Sequence, residues 1–149
     1  MTLTLAIIAI VLSASSLGWQ AWSWWRDGPV IRLSSVYAMP VFGPPGAQEF
    51  GDDYIQVTVA NNGRAPATLK NWGIDLGNKR NAFPGSPLSW TTPLGSRIEP
   101  HSSAQLAILV DEARRISREE RVPYDKMRPW VELGNGKQVR SRKGLPLAD

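Results

Sequence analysis

The first 25 residues constrain the fold most, because no charged side chain occurs from Thr2 to Trp25. A helix of that length reaches roughly 36 Å, and the hydrocarbon core of a bilayer is about 30 Å thick. Indole rings settle at the level of the lipid head groups. The sequence therefore predicts one transmembrane α-helix, and the side chains expected at the membrane interface are Trp19, Trp22, Trp24, Trp25 and Arg26.

A cleaved signal peptide is the main alternative for this segment. Signal peptides begin with a basic region and end at a small-x-small site. The chain begins Met1-Thr2-Leu3-Thr4 without Lys or Arg, although Ser13-Ala14-Ser15 meets the second requirement. We expect an uncleaved anchor, because cleavage there would leave four tryptophans exposed near the new amino terminus.

The charges around the helix predict its orientation. No Lys or Arg lies before Trp25, whereas Arg26 and Arg32 follow against a single acid, Asp27. Basic residues stay preferentially on the cytoplasmic side. We therefore expect the rest of the chain in the cytoplasm. Export is the alternative, because longer domains can translocate despite such a bias.

Small residues recur at a spacing of four in the helix, at Ala9 and Ser13 and at Ala14 and Gly18. This spacing lets two helices approach closely in lipid, although small residues are also common in membrane helices that do not associate. Weak self-association through these four residues is an open alternative.

The remaining residues, roughly 120, are enough for one packed core and too few for two. We predict an anchor with its tryptophan cluster at 1–27 and one domain at 28–149. The absence of cysteine excludes disulfides, thiol chemistry and Cys-ligated zinc. The net charge of +4 suits lipid head groups or weakly acidic partners and gives no reason to expect nucleic acid.

After Gly28-Pro29 the apolar residues alternate with polar ones, which is typical of half-buried strands. Ile31, Leu33 and Tyr37 share one face of the first predicted strand. Further strands are predicted near residues 54–60, 67–76, 104–110, 130–133 and 137–142, the last two joined by Gly134-Asn135-Gly136. One short surface helix is predicted at 111–121, with Asp111 as its N-cap.

About seven short strands in this length predict an all-β fold, an immunoglobulin-like β-sandwich preceded by the transmembrane helix. A small barrel is the alternative. The buried tryptophan of such a sandwich would be Trp72, without a disulfide to pack against.

Four sequence motifs follow the anchor in a recurrent order: Trp-Ser-Trp-Trp-Arg-Asp-Gly-Pro from Trp22, Val-Thr-Val-Ala-Asn-Asn-Gly-Arg from Val57, Trp-Gly-Ile from Trp72 and Arg-Ile-Glu-Pro-His-Ser from Arg97. In this order the chain resembles small single-pass membrane proteins of actinobacteria and their phages. The resemblance implies an anchor followed by an immunoglobulin-like sandwich, and it implies no particular chemistry.

No motif predicts catalysis. The single histidine, His101, lies beside Glu99, Ser102 and Ser103 in a segment that predicts a polar turn. Glu49, Asp52 and Asp53 match no calcium-loop spacing. We expect no enzyme, no cofactor and no metal site.

Two segments are candidate contact surfaces. A proline-rich loop contains Phe42, Pro44 and Pro45, which could meet a partner protein or simply cover one end of the core. Near the end of the chain, Lys137, Arg140, Arg142 and Lys143 could rest on anionic lipid or protect an edge strand from aggregation. The predicted function is therefore a membrane-anchored domain for protein–protein interaction. The alternative is a structural or accessory subunit of a larger membrane or phage-encoded complex.

Overall fold

The amino-terminal segment is a single long helix in the computed structural model, which describes residues 2–85 and 87–147, with side chains at all of these except 2, 24–26, 42, 49 and 50. Helix α1 spans Thr2–Arg26. Every side chain from Leu3 to Trp22 is exposed, so α1 contributes nothing to the core of the domain. Within the described residues, Leu3–Ser23 is the one helical segment long and apolar enough to cross a membrane, as the sequence predicts.

Two serine hydroxyl groups in α1 donate hydrogen bonds to backbone carbonyl oxygens of the same helix. Ser13 Oγ donates to the Ala9 carbonyl oxygen and Ser15 Oγ to that of Val11, both at 2.8 Å. These bonds remove most of the cost of placing a hydroxyl in hydrocarbon.

The rest of the chain is mostly β. The strands are β1 (Ile31–Ala38), β2 (Val41–Phe42), β3 (Glu49–Phe50), β4 (Tyr54–Asn61), β5 (Ala67–Gly77), β6 (Arg80–Ala82), β7 (Arg97–Ile98), β8 (Ser103–Leu109), β9 (Arg128–Leu133) and β10 (Gln138–Arg140). Helix α2 spans Val110–Glu120, and a 3-10 turn spans Tyr124–Lys126.

Two antiparallel sheets carry the core. The first has the order β1-β4-β8, and the second has the order β10-β9-β5-β6 with β7 also paired to β5. Strands β2 and β3 form a separate two-stranded ribbon. The inner residues of β4, Ile55, Val57 and Val59, are at most 1% exposed and pack against residues of β5 and β9. The predicted mostly-β fold with two sheets is confirmed.

The helix after β8 begins one residue earlier than the sequence predicts. The backbone N–H of Val110 donates to the carbonyl oxygen of Asp53, the residue before β4, and the N-cap position falls on Leu109, which makes no side-chain cap. Asp111 is therefore not the cap; its carboxylate lies in the first turn, 3.4 Å from Arg114. The helix buries Val110, Ala113 and Ile116 and ends where Arg121 adopts a left-handed conformation.

The prediction that Trp72 is the buried tryptophan is wrong, because Trp130 is more deeply buried than Trp72. Trp72 is half-buried and packs against both core clusters, whereas Trp130 is only 4% exposed. Trp130 alternates with the inward Val131, so it covers the outer face of its sheet opposite Gly73. A Cβ at Gly73 would lie 3.2 Å from Trp130 Nε1, so the missing side chain makes room for the indole.

The strands define two ends of the domain. The end next to α1, called here the proximal end, comprises residues 27–30, 62–66, 99–102 and 134–137. The opposite end, the distal end, comprises residues 39–53, 110–127 and 141–147. Strand β1 runs from the first to the second, because Ile31 pairs with Asn61 and Ala38 pairs with Tyr54.

Candidate functional site

The helix is joined to the domain by a tight connection at the proximal end. The backbone N–H of Asn62 donates to the Val30 carbonyl oxygen at 2.8 Å. A Cβ at Gly63 would lie 2.4 Å from the Gly28 carbonyl oxygen and 2.4 Å from the Val30 nitrogen. Glycine is therefore required at position 63 for the backbone to pack this closely.

Asn61 holds the loops beside this connection. Its side chain is fully buried; Nδ2 donates to the carbonyl oxygens of Ala65 at 2.8 Å and Ile98 at 3.2 Å. Its Oδ1 accepts from the N–H of Gly63 at 3.0 Å. One amide thus bonds three backbone groups and ties the turn that contains Gly63 and Ala65 to Ile98.

A cavity of about 340 Å³, the junction pocket, lies between α1 and these loops. It is lined by Trp19, Trp22, Ser23, Asp27, Val30, Asn62, Gly63 and Arg64. The Trp19 and Trp22 rings are in contact, with centroids 5.2 Å apart and planes inclined by 57°. Arg64 Nη1 lies 3.5 Å from Asp27 Oδ1, and the Arg64 side chain is 78% exposed. The pocket therefore places a cationic group and an anionic group beside two indoles.

The interface residues predicted from the sequence are only partly described. Trp19 and Trp22 line the junction pocket. The side chains of Trp24, Trp25 and Arg26 lie outside the described residues, and their membrane-interface role stays a prediction.

The edge of β1 is the second candidate surface. Asn62 bonds to Val30, and on the other side of β4 the N–H of Val110 bonds to Asp53. In antiparallel strands, hydrogen-bonded residue pairs alternate with pairs that are not hydrogen-bonded. Both bonds therefore indicate that the even-numbered residues of β4 bond to β1 and the odd-numbered residues bond to β8. The even residues of β1 bond to β4, so the backbone groups of Ile31, Leu33, Ser35 and Tyr37 point away from the sheet.

The two edge strands of this sheet, β8 and β1, differ in how far they are covered. The free edge of β8 is covered at Gln105, whose N–H donates to Thr92 Oγ1 at 2.9 Å and whose carbonyl accepts from Thr92 N at 2.7 Å. Within the described residues, β1 is paired with β4 alone. No Asp, Glu, Lys or Arg occurs from Leu33 to Val41. Natural edge strands usually carry such charges as protection, and β1 lacks them there.

Strand β1 faces β10, the outer strand of the other sheet, across a cleft of about 330 Å³. The cleft is lined by Pro29, Val30, Ile31, Leu133, Lys137, Gln138, Val139 and Arg140. The N–H of Ser141 donates to the Pro129 carbonyl oxygen, so the odd-numbered residues of β10 bond to β9. The backbone groups of Gln138 and Arg140 therefore point away from β9. Among the residues that the structure describes, both sheets therefore end in unpaired edges on one side of the domain.

Apolar side chains continue this edge to the distal end. Val36, Tyr37, Met39 and Val41 are between 44% and 52% exposed. Tyr37 was expected inside but lies near the open end of the strand, where its hydroxyl donates to Asp53 Oδ2. This hydrogen bond, with partial loss of solvent and the charge of Asp53, raises the pKa of Tyr37, while Arg114 acts in the opposite direction.

The proline-rich loop forms the turn of the β2–β3 ribbon, at the distal end. Pro44 and Pro45 are exposed, so they do not cap the core. The side chain of Phe42 lies outside the described residues. The partner contact predicted for these three residues stays a prediction, at the end of the domain that lies away from α1.

The four basic residues near the end of the chain do not share one surface. Lys137 lies at the proximal end, and Arg140 Nη1 is 2.9 Å from Asp75 Oδ2. Arg142 and Lys143 lie beyond Ser141, which bonds to the start of β9 at the distal end. Among these four, only Lys137 lies at the proximal end, so contact of the whole set with one lipid surface would require the domain to lie on its side.

The small residues of α1 also fall on two faces. At 100° per residue, the midpoint of the Ala14–Gly18 pair lies about 140° around the helix from the midpoint of the Ala9–Ser13 pair. Self-association through both pairs at once would need two partners, so each pair is a separate candidate contact.

The polar groups near His101 are engaged with each other. Ser102 Oγ donates to the Glu99 carbonyl oxygen at 2.7 Å, and the Glu99 carboxylate pairs with Arg97 at 2.8 Å. The exposed His101 lies in the turn with a φ of 59°, and its N–H donates to the Asn61 carbonyl. Within the part of the chain that is described, no three acidic or histidine side chains are placed to hold a metal ion.

Sequence reasoning missed both the junction pocket and the β1 edge. The pocket depends on a contact between positions 28 and 63, which no local pattern reveals. The free edge of β1 could have been predicted, because the charge-free run from Leu33 to Val41 is unusual for a strand beside solvent.

Comparison with known proteins adds no family. No protein-family model and no curated protein matches the chain. An X-ray structure of a target of the Northeast Structural Genomics Consortium aligns with a TM-score of 0.33 and 16% identity, over 74% of this chain and 80% of that chain. A TM-score this low supports no conclusion about fold or function.

Proposed function

We propose that the chain is a single-pass membrane protein whose helix α1 holds an immunoglobulin-like β-sandwich at the bilayer, where the free edge of β1 binds an extended segment of a partner protein. The module binds and does not catalyse. The domain lies on the cytoplasmic side, in line with Arg26 and Arg32 after the helix and no basic residue before Trp25.

The observation that carries the proposal is the edge of β1, which within the described residues pairs with no strand on its outer side and carries no charge from Leu33 onward. Its outward backbone groups recur every second residue at Ile31, Leu33, Ser35 and Tyr37, which is the pattern that an added strand needs. Exposed Val36, Met39 and Val41 would gain burial from a partner strand. The edge runs away from the membrane, so a partner can approach it from solvent.

The immunoglobulin-like assignment is supported by the two-layer packing. Three strands of one sheet face the main strands of the other across a shared apolar core. Aligned antiparallel sheets with loops at both ends are typical of that class.

The test uses photo-crosslinking in native membranes, with a photoreactive amino acid in place of Val36. A discrete adduct is expected, and Ser35→Pro should abolish it because proline removes an outward N–H. A crosslinker at Asn135, on the proximal hairpin, is the matched control and should not give that adduct. Absence of any adduct from position 36, or an adduct that survives Ser35→Pro, would contradict the proposal.

The alternative function, an accessory subunit of a larger membrane complex, is favoured by one feature. The side chains of α1 from Leu3 to Trp22 are exposed, and the helix carries two small-residue pairs on different faces. Replacing residues 3–18 with leucine distinguishes the two functions. A tether keeps the crosslinked adduct at position 36, whereas a subunit loses its complex.

A further inference from the structure

The junction pocket has the chemistry of a zwitterionic lipid site, and we propose that it binds the head group of a phosphoethanolamine-type phospholipid. In this arrangement Arg64 binds the phosphodiester, and Asp27 with the Trp19–Trp22 pair binds the ammonium group. This site is separate from the β1 edge and does not depend on the partner proposed there.

The first step is the depth of the pocket. From Leu3 to Trp22 the helix rises roughly 28 Å, close to the thickness of about 30 Å of a hydrocarbon core. Trp22 therefore reaches the head-group layer as the helix leaves the bilayer. Asn62, Gly63 and Arg64 line the same cavity as Trp22, so they lie at the same level.

The second step is the pairing of charges. Arg64 and Asp27 are 3.5 Å apart and both are well exposed, at 78% and 45%, so their own contact is weak. An ion pair of this kind is readily exchanged for stronger partners. A head group with one phosphate and one ammonium supplies an opposite charge to each member, and no net charge enters the pocket.

The third step is the aromatic wall. The Trp19 and Trp22 rings meet at 57°, which gives two faces of different direction beside Asp27. An ammonium group over the face of an indole gains cation–π attraction, and tryptophan is the best ring for it. The guanidinium of Arg64 has five N–H groups in a fork that suits a phosphate. Asn62 is exposed at the pocket wall and adds a neutral amide.

A purely anionic lipid fits less well, because the Asp27 carboxylate would face it without a counter-charge. The site is therefore expected to prefer phosphatidylethanolamine over phosphatidylglycerol. The preference should depend on Asp27, and the strength of binding should depend on Arg64.

The test is native mass spectrometry of the full chain in detergent micelles, titrated with phosphatidylethanolamine and, separately, with phosphatidylglycerol of matched acyl chains. Arg64→Gln should weaken phosphatidylethanolamine binding about tenfold, the loss typical of a charge-assisted hydrogen bond. Asp27→Asn should remove the preference between the two lipids. Arg97→Gln is the matched control, because Arg97 is exposed at the same end, pairs with Glu99 and does not line the pocket.

Equal binding of the two lipids by the unaltered chain would overturn the proposal, as would an Arg64→Gln variant that binds like Arg97→Gln. Soluble phosphoethanolamine serves to separate a lipid from a free metabolite. It should compete only at much higher concentration, and binding as tight as that of the lipid would overturn the assignment to a membrane lipid.

Discussion

Gly63 lies so close to Gly28 that a Cβ at position 63 would be 2.4 Å from the Gly28 carbonyl oxygen. By contrast, a Cβ added at Gly28 would have no neighbour within 4 Å. The turn after β4 is thus packed onto the segment that follows α1. This contact, together with the Asn62–Val30 hydrogen bond, holds the domain at a set position relative to α1.

The first prediction concerns this contact. Gly63→Ala forces the two backbones apart and should destabilise the domain by about 1–3 kcal/mol, the usual cost of overpacking. Gly28→Ala is the matched control and should change the free energy of unfolding by less than about 0.5 kcal/mol. Chemical denaturation followed by tryptophan fluorescence gives both values, and equal effects of the two substitutions would contradict the packing described.

The second prediction concerns the buried amide of Asn61. Asn61→Ala removes three hydrogen bonds and leaves backbone groups of Gly63, Ala65 and Ile98 without their partner. The expected loss of stability is about 3 kcal/mol, because unsatisfied buried groups are costly. Its exposed neighbour offers the comparison: Asn62→Ala should cost less than about 0.5 kcal/mol. The midpoint of urea unfolding measures the difference.

The third prediction tests the phase of β1. Ser34 directs its N–H to β4 and Ser35 directs its N–H outward, so proline should have opposite consequences at these neighbours. Ser34→Pro breaks a ladder bond and should cost about 2 kcal/mol. Ser35→Pro removes no bond within the sheet and should cost less than about 1 kcal/mol. If the order of the two costs is reversed, the assignment of the free edge is wrong.

The fourth prediction concerns the pH dependence of Tyr37. Its hydrogen bond to Asp53 raises the pKa of the phenol above the ordinary value of about 10. The folded state therefore holds this proton more tightly than the unfolded state. The resulting stabilisation is complete below the unfolded pKa and is lost as the pH rises through the folded pKa.

Ultraviolet titration at alkaline pH measures this ionisation directly. The difference between the unaltered chain and Tyr37→Phe isolates Tyr37 from Tyr54 and Tyr124. Asp53→Asn should move the Tyr37 midpoint to lower pH, because the charged acceptor is removed. An unchanged midpoint would show that the hydrogen bond does not hold the proton.

The elements with strong local patterns could be predicted from the sequence. The uncharged run before Arg26 predicts α1, and the alternation from Tyr54 to Ala60 predicts β4, whose buried residues are Ile55, Val57 and Val59. The first prediction depends on the length of an uncharged run and the second on the alternation of apolar residues, and each pattern lies within one segment. The sequence also predicts the helix after β8, which begins at Val110, one residue before the predicted start.

The features that were not predicted depend on contacts between distant segments. Trp130 is buried because Gly73, on the neighbouring strand, leaves space for it, and Phe83 packs edge-on at 5.9 Å. The junction pocket forms only where residues 62–64 meet α1. The four basic residues after position 136 look like one group in sequence, but Arg140 is directed to Asp75 by the register of β10.

Extraction of isolated membranes with alkaline carbonate tests the central claim, that α1 anchors the two-sheet domain in the bilayer, most directly. The full chain should remain in the membrane pellet with an intact amino terminus by mass spectrometry, while a chain that starts at Gly28 should appear in the supernatant. Because the described side chains of α1 from Leu3 to Trp22 are exposed and belong to neither core cluster, the shortened chain should still unfold cooperatively. Recovery of the full chain in the supernatant, or of a chain trimmed past Ser15, would contradict the account.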